Sequence, residues 1–251
     1  MIGAGPIFID NHSDIGILML HGFTSTPDEF KEMSVYFSNK GFSVHAPLIT
    51  GHGTMPENLL KTNPGDWTAS VKRAYFELKK TSKKILIVGN SFGSNLGFWL
   101  IKELQNEPMG IVTLDAPIFL KYHWLAVARL NTYGFFKSYY QKSPRVYQTD
   151  YIDGVDRITY PVIPVKSLRQ FLNFIKTETI PNLDKVTVPA LVTHSKSDPV
   201  IHPRSATYIY NHLASQYKKN YWFLSEYHGF TVDGRRTEIF QKISDFIKEI
   251  S

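Results

Sequence analysis

The chain has 251 residues, of which 43% are hydrophobic and 20% charged, so it can bury a large core and is not a disordered polyampholyte. It has no cysteine, which excludes disulfides, thiolate metal sites and cysteine nucleophiles, and fits a reducing cytoplasmic compartment. The net charge is +6, but the lysines are scattered in short pairs, so we expect no nucleic-acid partner. No apolar run is long enough for stable membrane insertion, and no signal-peptide pattern opens the chain.

Short apolar runs alternate with stretches of helical periodicity along most of the chain. The apolar runs predict buried strands over 15–20, 42–47, 84–89, 110–117, 189–195 and 220–226. Spacings of three and four predict helices over 27–39, 67–80, 92–104 and from about residue 235 onwards. This alternation is typical of an α/β fold, with a mostly parallel central sheet flanked by helices.

The alternation breaks over residues 118–185, a segment rich in tyrosine and phenylalanine that carries four prolines. It begins directly after one predicted strand and ends just before the next. We therefore predict a small lid, or cap, over 118–185, inserted into a core formed by 1–117 and 186–251. The sequence leaves open whether the protein is a monomer or a homodimer.

The sequence Gly89-Asn90-Ser91-Phe92-Gly93 lies where a predicted strand passes into an apolar helix. Flanking glycines relieve backbone crowding in a sharp turn, and the helix N-terminus favours negative charge beside the serine. A strand before the motif and a helix after it are the context of the nucleophile elbow in the α/β-hydrolase fold. We therefore predict that Ser91 is a nucleophile.

A serine hydroxyl needs a base, and that base needs an orienting acid. In this fold the chain order is serine, then acid, then histidine. Asp198 and His228 follow the last two predicted strands and are the predicted acid and base. Asp115, which follows an earlier strand, is the alternative acid.

Two other histidines compete with His228 as the base. His202 and His212 lie at the start and inside of a predicted helix, where capping or surface roles are common. His194 lies at a strand end and is interpreted as structural.

An oxyanion hole needs two backbone donors. The Phe92 amide directly follows the nucleophile, and the Phe23 amide lies in the loop after the first predicted strand. These two amides are the predicted donors. We interpret His21 and His52, each followed by glycine, as residues that shape their loops.

Together "HGFTSTP", "GHGTMPENL", "DWTASVKRAY", "VGNSFGSNLG", "SDPVIHP" and "YHGF" resemble the small bacterial carboxylesterases and monoacylglycerol lipases of the α/β-hydrolase superfamily. The resemblance runs from Ile15 to the C-terminus and is weakest in the lid. It implies hydrolysis of carboxylic esters of short- to medium-chain acyl groups through an acyl-enzyme, with no cofactor or metal. Cinnamoyl and feruloyl esterases share the "HGFT" loop and are an alternative.

Two positions depart from the common pattern of these relatives. Ser94 and Asn95 follow Gly93, where a second glycine often stands directly after the first. Tyr227 precedes His228, where glycine is frequent.

The predicted lid contains many aromatic residues, which suit an apolar acyl chain or an aryl acid but could equally pack the lid on the core. The predicted substrate-binding residues are Phe23, Phe92, Tyr122, Trp124, Phe135 and Phe136.

A serine nucleophile argues against haloalkane dehalogenase and epoxide hydrolase chemistry, which use aspartate in this fold. Amidases, thioesterases and peptidases use the same machinery as esterases. A receptor-like or interaction module with little turnover is an alternative of another class, since it could retain the triad.

Overall fold

In the computed structural model of the chain, the described residues are 1–121, 137–142, 158–225, 228 and 236–251. They contain nine strands, numbered in chain order. These are Ile7–Ile9 (β1), Ile15–Leu20 (β2), Ser43–Ala46 (β3), Lys84–Asn90 (β4), Gly110–Leu114 (β5), Tyr139–Gln141 (β6), Val162–Pro164 (β7), Ala190–Ser195 (β8) and Lys218–Phe223 (β9).

Seven strands form one sheet in the order β1-β3-β2-β4-β5-β8-β9, while β6 and β7 form a separate antiparallel pair. Within the large sheet only the edge strand β1 runs antiparallel to its neighbour. The carboxyl ends of the other six strands therefore meet at one edge, where open α/β sheets bind ligands.

Seven α-helices lie among the described residues. They are Lys31–Ser38 (α1), Pro56–Leu60 (α2), Pro64–Lys79 (α3), Phe92–Glu103 (α4), Val165–Phe174 (α5), Arg204–His212 (α6) and Arg236–Ile250 (α7). A 3₁₀ turn, Pro27–Phe30, precedes α1, and a π turn and a 3₁₀ turn extend α5 to Lys185.

Helices cover both faces of the sheet, and the alternation of side chains along β2 explains how. Leu18 and Leu20 point into a cluster formed with α3, α4, α5 and α6. Ile17 and Met19 point into a second cluster, formed with α1 and α7. Successive strand residues face opposite sides of a sheet, so a strand buried on both sides reads as a continuous apolar run.

The predicted α/β fold, with its mostly parallel sheet between helices, is confirmed. The last strand was predicted too late in the chain, because β9 begins at Lys218. The pattern hid this start, since β9 is an edge strand whose first residues are largely exposed. Helix α3 begins three residues before its apolar pattern, because the Asn63 and Asp66 side chains form a capping box ahead of Trp67.

The described parts of the predicted lid are residues 118–121, 137–142 and 158–185, which contain the β6–β7 pair and the segment from α5 to Lys185. Leu168, Phe171 and Phe174 of α5 belong to the same apolar cluster as one face of the sheet. The division into core and lid remains a prediction. Among the helices of the described residues, none combines the length and apolarity required to cross a membrane.

Candidate active site

Ser91 occupies the turn between β4 and α4. Its φ is +48°, in the left-handed region where a non-glycine residue is strained by about 1–3 kcal/mol. The Ser91 amide donates to the Leu114 carbonyl of β5 at 2.7 Å, which holds the turn in place. Helix α4 begins at the next residue, so the Ser91 hydroxyl lies at the carboxyl edge of the sheet and at a helix N-terminus.

Close backbone contacts explain the glycines on both sides of Ser91. A Cβ on Gly93 would lie 1.8 Å from the carbonyl oxygen of Leu20 in β2. A Cβ on Gly89 would lie 2.4 Å from the amide nitrogen of Ser94. Both distances are far below van der Waals contact, and both obstacles are backbone atoms that no rotamer change can move.

The two unusual residues behind the elbow, Ser94 and Asn95, are both buried and hydrogen-bonded. The Ser94 hydroxyl donates to the Gly89 carbonyl at 2.6 Å. The Asn95 amide donates to the Pro117 carbonyl at 3.0 Å and to the Thr179 hydroxyl at 3.1 Å. These polar side chains therefore tie α4 to the end of β4 and to the segment that follows α5.

Asp198 lies in the loop after β8 and is fully buried. One of its oxygens, Oδ1, accepts hydrogen bonds from the amides of Val200 at 2.7 Å and Ile201 at 2.8 Å. The other, Oδ2, lies 2.8 Å from Nδ1 of His228. The loop thus orients the carboxylate toward the imidazole ring.

The opposite ring nitrogen, His228 Nε2, lies 3.0 Å from the Ser91 hydroxyl oxygen. A carboxylate can only accept, so Nδ1 carries the proton and Nε2 presents a lone pair to Ser91. Burial acts to raise the pKa of Asp198, but the His228 ring and the two amide hydrogen bonds outweigh it, and the pKa falls below 3.8. Asp198 is therefore a carboxylate at neutral pH.

Asp115, the alternative acid, follows β5 with a φ of +50° and is fully buried. Its Oδ1 accepts from the Ser195 amide at 2.8 Å and lies 3.4 Å from Nδ1 of His194. Burial lowers the pKa of His194 to about 4, so this histidine is neutral at pH 7. Nδ1 of His228 donates instead to Asp198, whose Oδ2 lies 2.8 Å away.

The other competing histidines have local partners. His202 is exposed and accepts from the Arg204 amide at the start of α6. His212 is exposed and stacks on Tyr208 within the same helix.

Asp115, Asp198 and His228 also form the kind of group that could hold a metal ion, since their potential ligand atoms lie within 4.8 Å of one another. A cation bound there through Nδ1 would have to displace the proton that His228 shares with Asp198. The donor set fits a proton-transfer site better than a cation site.

The loop after β2 contains His21, Gly22 and Phe23. Nδ1 of His21 lies 2.9 Å from the Gly22 carbonyl oxygen, while Nε2 accepts from the Ile49 amide at 3.1 Å. Because an amide only donates, His21 is neutral with its proton on Nδ1, and burial lowers its pKa to about 4. The ring of His52 packs against that of His21, so both histidines join the two loops they were predicted to shape.

An aromatic cluster adjoins the elbow. Phe23 stacks on Phe171 of α5 with ring centroids 4.9 Å apart and meets Phe92 edge-on at 5.7 Å. Trp67 and Phe174 also pack against Phe92. Phe171 and Phe174 were not among the predicted site residues, although apolar residues at spacings of three and four over 168–175 could have indicated a helix.

The predicted substrate-binding residues are placed unequally. Phe92 is fully buried in the aromatic cluster, and Phe23 is partly buried. Tyr122, Trp124, Phe135 and Phe136 lie outside the described residues.

Ser91 lies at a strained strand-to-helix turn, next to His228 and the buried Asp198, at the carboxyl edge of a mostly parallel sheet. This arrangement defines a serine hydrolase of the α/β-hydrolase fold. The family model described as serine aminopeptidase, S33, matches residues 11–235. The chain belongs to this family of α/β hydrolases, which confirms the resemblance to the superfamily.

Individual relatives have names within the same range of activities. A thermostable monoacylglycerol lipase of Bacillus sp. (strain H-257) is 29% identical over 97% of this chain and 94% of its own. A carboxylesterase of Bacillus subtilis (strain 168) is 28% identical over 94% of each. A solved structure from work on LipS and LipT, two metagenome-derived lipolytic enzymes, is 27% identical with a TM-score of 0.89 over 99% of both chains.

Proposed function

We propose that this chain hydrolyses carboxylic esters of short- to medium-chain acyl groups through an acyl-enzyme on Ser91. The observation that carries the proposal is the continuous pair of hydrogen bonds that joins three side chains. They run from Ser91 to His228 at 3.0 Å and from His228 to Asp198 at 2.8 Å.

In the first step the Ser91 oxygen attacks the ester carbonyl carbon while its proton moves to Nε2 of His228. General-base assistance of this kind contributes about 10²–10⁴-fold in rate. The Asp198 carboxylate keeps Nδ1 protonated and stabilises the imidazolium that forms. Its burial strengthens this interaction, because little water screens the charge.

The carbonyl oxygen becomes an oxyanion, and we propose that the amides of Phe23 and Phe92 bind it. Neither amide donates to an acceptor within the part of the chain that the structure describes. The neighbouring Gly22 amide is occupied, since it donates to Glu29 at 2.9 Å. Each oxyanion donor typically contributes about 10²–10³-fold to kcat.

The tetrahedral intermediate collapses when the bond to the leaving alcohol breaks, and the His228 imidazolium donates its proton to that alcohol. A water molecule then gives its proton to Nε2 and attacks the acyl carbon. Collapse of this second intermediate returns the proton to the Ser91 oxygen and releases the acid. The sequence of steps needs no cofactor or metal.

The substrate class rests on the relatives and on the aromatic cluster. The two Bacillus relatives are a monoacylglycerol lipase and a carboxylesterase. The partly buried Phe23 offers an apolar surface beside the nucleophile, and the fully buried Phe92 ring supports it from behind. We propose that Tyr122, Trp124, Phe135 and Phe136 of the lid extend this surface. The enzyme would act in the cytoplasm, since the lack of cysteine suits a reducing compartment. We propose that it is a monomer or a homodimer.

The test is turnover of p-nitrophenyl esters from acetate to laurate, with monoacylglycerols and cinnamoyl esters alongside. We expect Ser91→Ala to abolish both turnover and labelling by a fluorophosphonate probe. Ser215→Ala is the control, because the Ser215 hydroxyl donates to the Tyr217 carbonyl away from the elbow. A Ser91→Ala protein that keeps more than a few per cent of wild-type turnover would refute the assignment.

The same experiment distinguishes an esterase from a receptor-like module and from a peptidase. Labelling of Ser91 without turnover of any ester would favour a receptor-like module. Faster hydrolysis of an aminoacyl p-nitroanilide than of any ester would favour a peptidase, in line with the description of the family model.

A further inference from the structure

A buried carboxylate that takes no part in the proposed chemistry lies between the two halves of the site. Glu29 belongs to the 3₁₀ turn before α1 and is 8% exposed. Its Oε1 accepts from the Gly22 amide at 2.9 Å and from the side-chain amide of Asn90 at 3.0 Å. Its Oε2 accepts from the Ser25 hydroxyl at 2.5 Å.

The three donors come from two separate segments. Gly22 and Ser25 belong to the loop that carries Phe23, whereas Asn90 directly precedes the nucleophile. The two segments also touch, since a Cβ on Gly22 would lie 3.5 Å from the Cβ of Ser91. Glu29 is therefore a bridge between the oxyanion loop and the nucleophile elbow.

We propose that Glu29 is a positioning residue that sets the placement of the Phe23 amide relative to Ser91, so that the two oxyanion donors act together. This inference rests on the ester-hydrolase function proposed above. Glu29 does not touch the reacting atoms, and its effect passes through Gly22, Ser25 and Asn90.

The geometry of the loop explains how the effect reaches the Phe23 amide. In a trans peptide the N–H points opposite to the preceding carbonyl. The Gly22 carbonyl accepts from the Ser25 amide at 3.1 Å and lies 2.9 Å from His21 Nδ1, so the direction of the Phe23 N–H is set by the same contacts. Glu29 holds Ser25 and the Gly22 amide, and hence this peptide plane, in place.

The loss of Glu29 would leave buried polar groups without an acceptor. The Gly22 amide and the Asn90 side chain would each lose their bond to Oε1, and either could then pull the loop toward a new partner. An unsatisfied buried donor is unfavourable enough to shift the loop. A glutamine can keep all three bonds, because its oxygen can face the two N–H donors while its NH₂ donates to a reversed Ser25 hydroxyl.

The experiment compares Glu29→Ala and Glu29→Gln in ester turnover and in the affinity for an alkylboronic acid, which forms a tetrahedral adduct with the serine. For Glu29→Ala we expect kcat to fall about 10²-fold, the loss typical of one oxyanion donor, with KM within about threefold. Boronate affinity should fall by a similar factor, because the adduct needs the same donors. Glu29→Gln should stay within about threefold of wild type in all three quantities.

Asn106→Ala is the control for a loss of stability alone. Asn106 donates to the Lys185 carbonyl and accepts from the Thr187 amide, at the edge of the sheet opposite the elbow. We expect it to lower the melting temperature and leave kcat unchanged. A Glu29→Ala protein that melts like this control but keeps kcat and boronate affinity within about threefold of wild type overturns the inference.

If Glu29→Ala does not fold, Asn90→Ala decides, because it removes only the bond from the elbow to Glu29. A loss of about tenfold in kcat and in boronate affinity supports the bridge, and wild-type values overturn it. Wild-type protein without Ser91-dependent ester turnover overturns the proposed function and this inference with it. Ser91-dependent turnover that is indifferent to Glu29 overturns only the inference.

Discussion

Gly93→Ala tests how closely the elbow must pack against the sheet. The added Cβ would lie 1.8 Å from the oxygen and 2.5 Å from the carbon of the Leu20 carbonyl. An ordinary carbon–oxygen contact is about 3.3 Å, so α4 and the end of β2 would have to separate by about 1.5 Å. Leu20 directly precedes His21, and the separation therefore moves Ser91 away from the loop that carries Phe23.

The expected loss follows from that displacement. A shift of about 1 Å between reacting groups can cost about 10²-fold in rate, so kcat for p-nitrophenyl esters should fall by at least that factor. The strain of an overpacked core should lower the free energy of unfolding in urea by about 1–3 kcal/mol. The structural contacts involved are all backbone, which leaves no rotamer change to relieve them.

Gly97→Ala is the matched control on the same helix. Its Cβ would lie 3.1 Å from side-chain methyl groups of Ile111 and Ile87, which can move by a few tenths of an ångström. Alanine is favoured over glycine in a helix by about 1 kcal/mol, which offsets the mild strain of these contacts. We therefore expect little change in the free energy of unfolding and an unchanged kcat. A Gly93→Ala enzyme as active as Gly97→Ala would refute the argument that this backbone contact sets the geometry of the site.

Three further predictions concern the acid, a buried histidine and the aromatic cluster. Asp198→Asn points an NH₂ at Nδ1 of His228 and forces the proton onto Nε2, so kcat should fall about 10⁴-fold; Asp115→Asn, if equally damaging, would contradict the assignment of the acid. Burial lowers the pKa of His52 from 6.5 to about 3, so its contribution to stability is complete above pH 6.5 and is lost as the pH falls below that value. In urea unfolding, His52→Gln should therefore reduce the loss of stability between about pH 7 and pH 5 by about 2 kcal/mol, and an unchanged slope would contradict this. Phe171→Ala should lower the free energy of unfolding by about 3 kcal/mol and leave a cavity beside Phe23. That cavity should shift the kcat/KM values for p-nitrophenyl esters toward longer acyl chains, and an unchanged chain-length profile would mean that the acyl group binds elsewhere.

The parallel sheet could be predicted because its strands are buried on both faces. Strand β2 lies at Ile15–Leu20, the run that its apolar residues predicted. The edge strand β1 was missed, since its three residues are half-exposed and carry no strong pattern. Pattern reasoning detects burial, so it fails where an element is short or lies at an edge.

Some site residues could be predicted from the sequence, and others are identified only by tertiary contacts. Ser91, Asp198 and His228 could be predicted from local sequence patterns, because each follows a strand of a parallel sheet. The bridge formed by Glu29 could not be predicted in this way, because its partner Asn90 lies 61 residues further along the chain. Sequence spacing carries no information about a contact that exists only after the sheet has formed.

The amino-acid sequence by itself therefore determined the class of fold, the elbow with its two glycines and the candidate acid and base. Those features follow from short-range rules, namely side-chain periodicity, backbone freedom at glycine and the chemistry of a serine that needs a base. Tertiary structure alone brought Oδ2 of Asp198 to within 2.8 Å of Nδ1 of His228. It also decided that Phe171 packs on Phe23 and that one carboxylate joins the two halves of the site, because such contacts arise only when distant segments pack together.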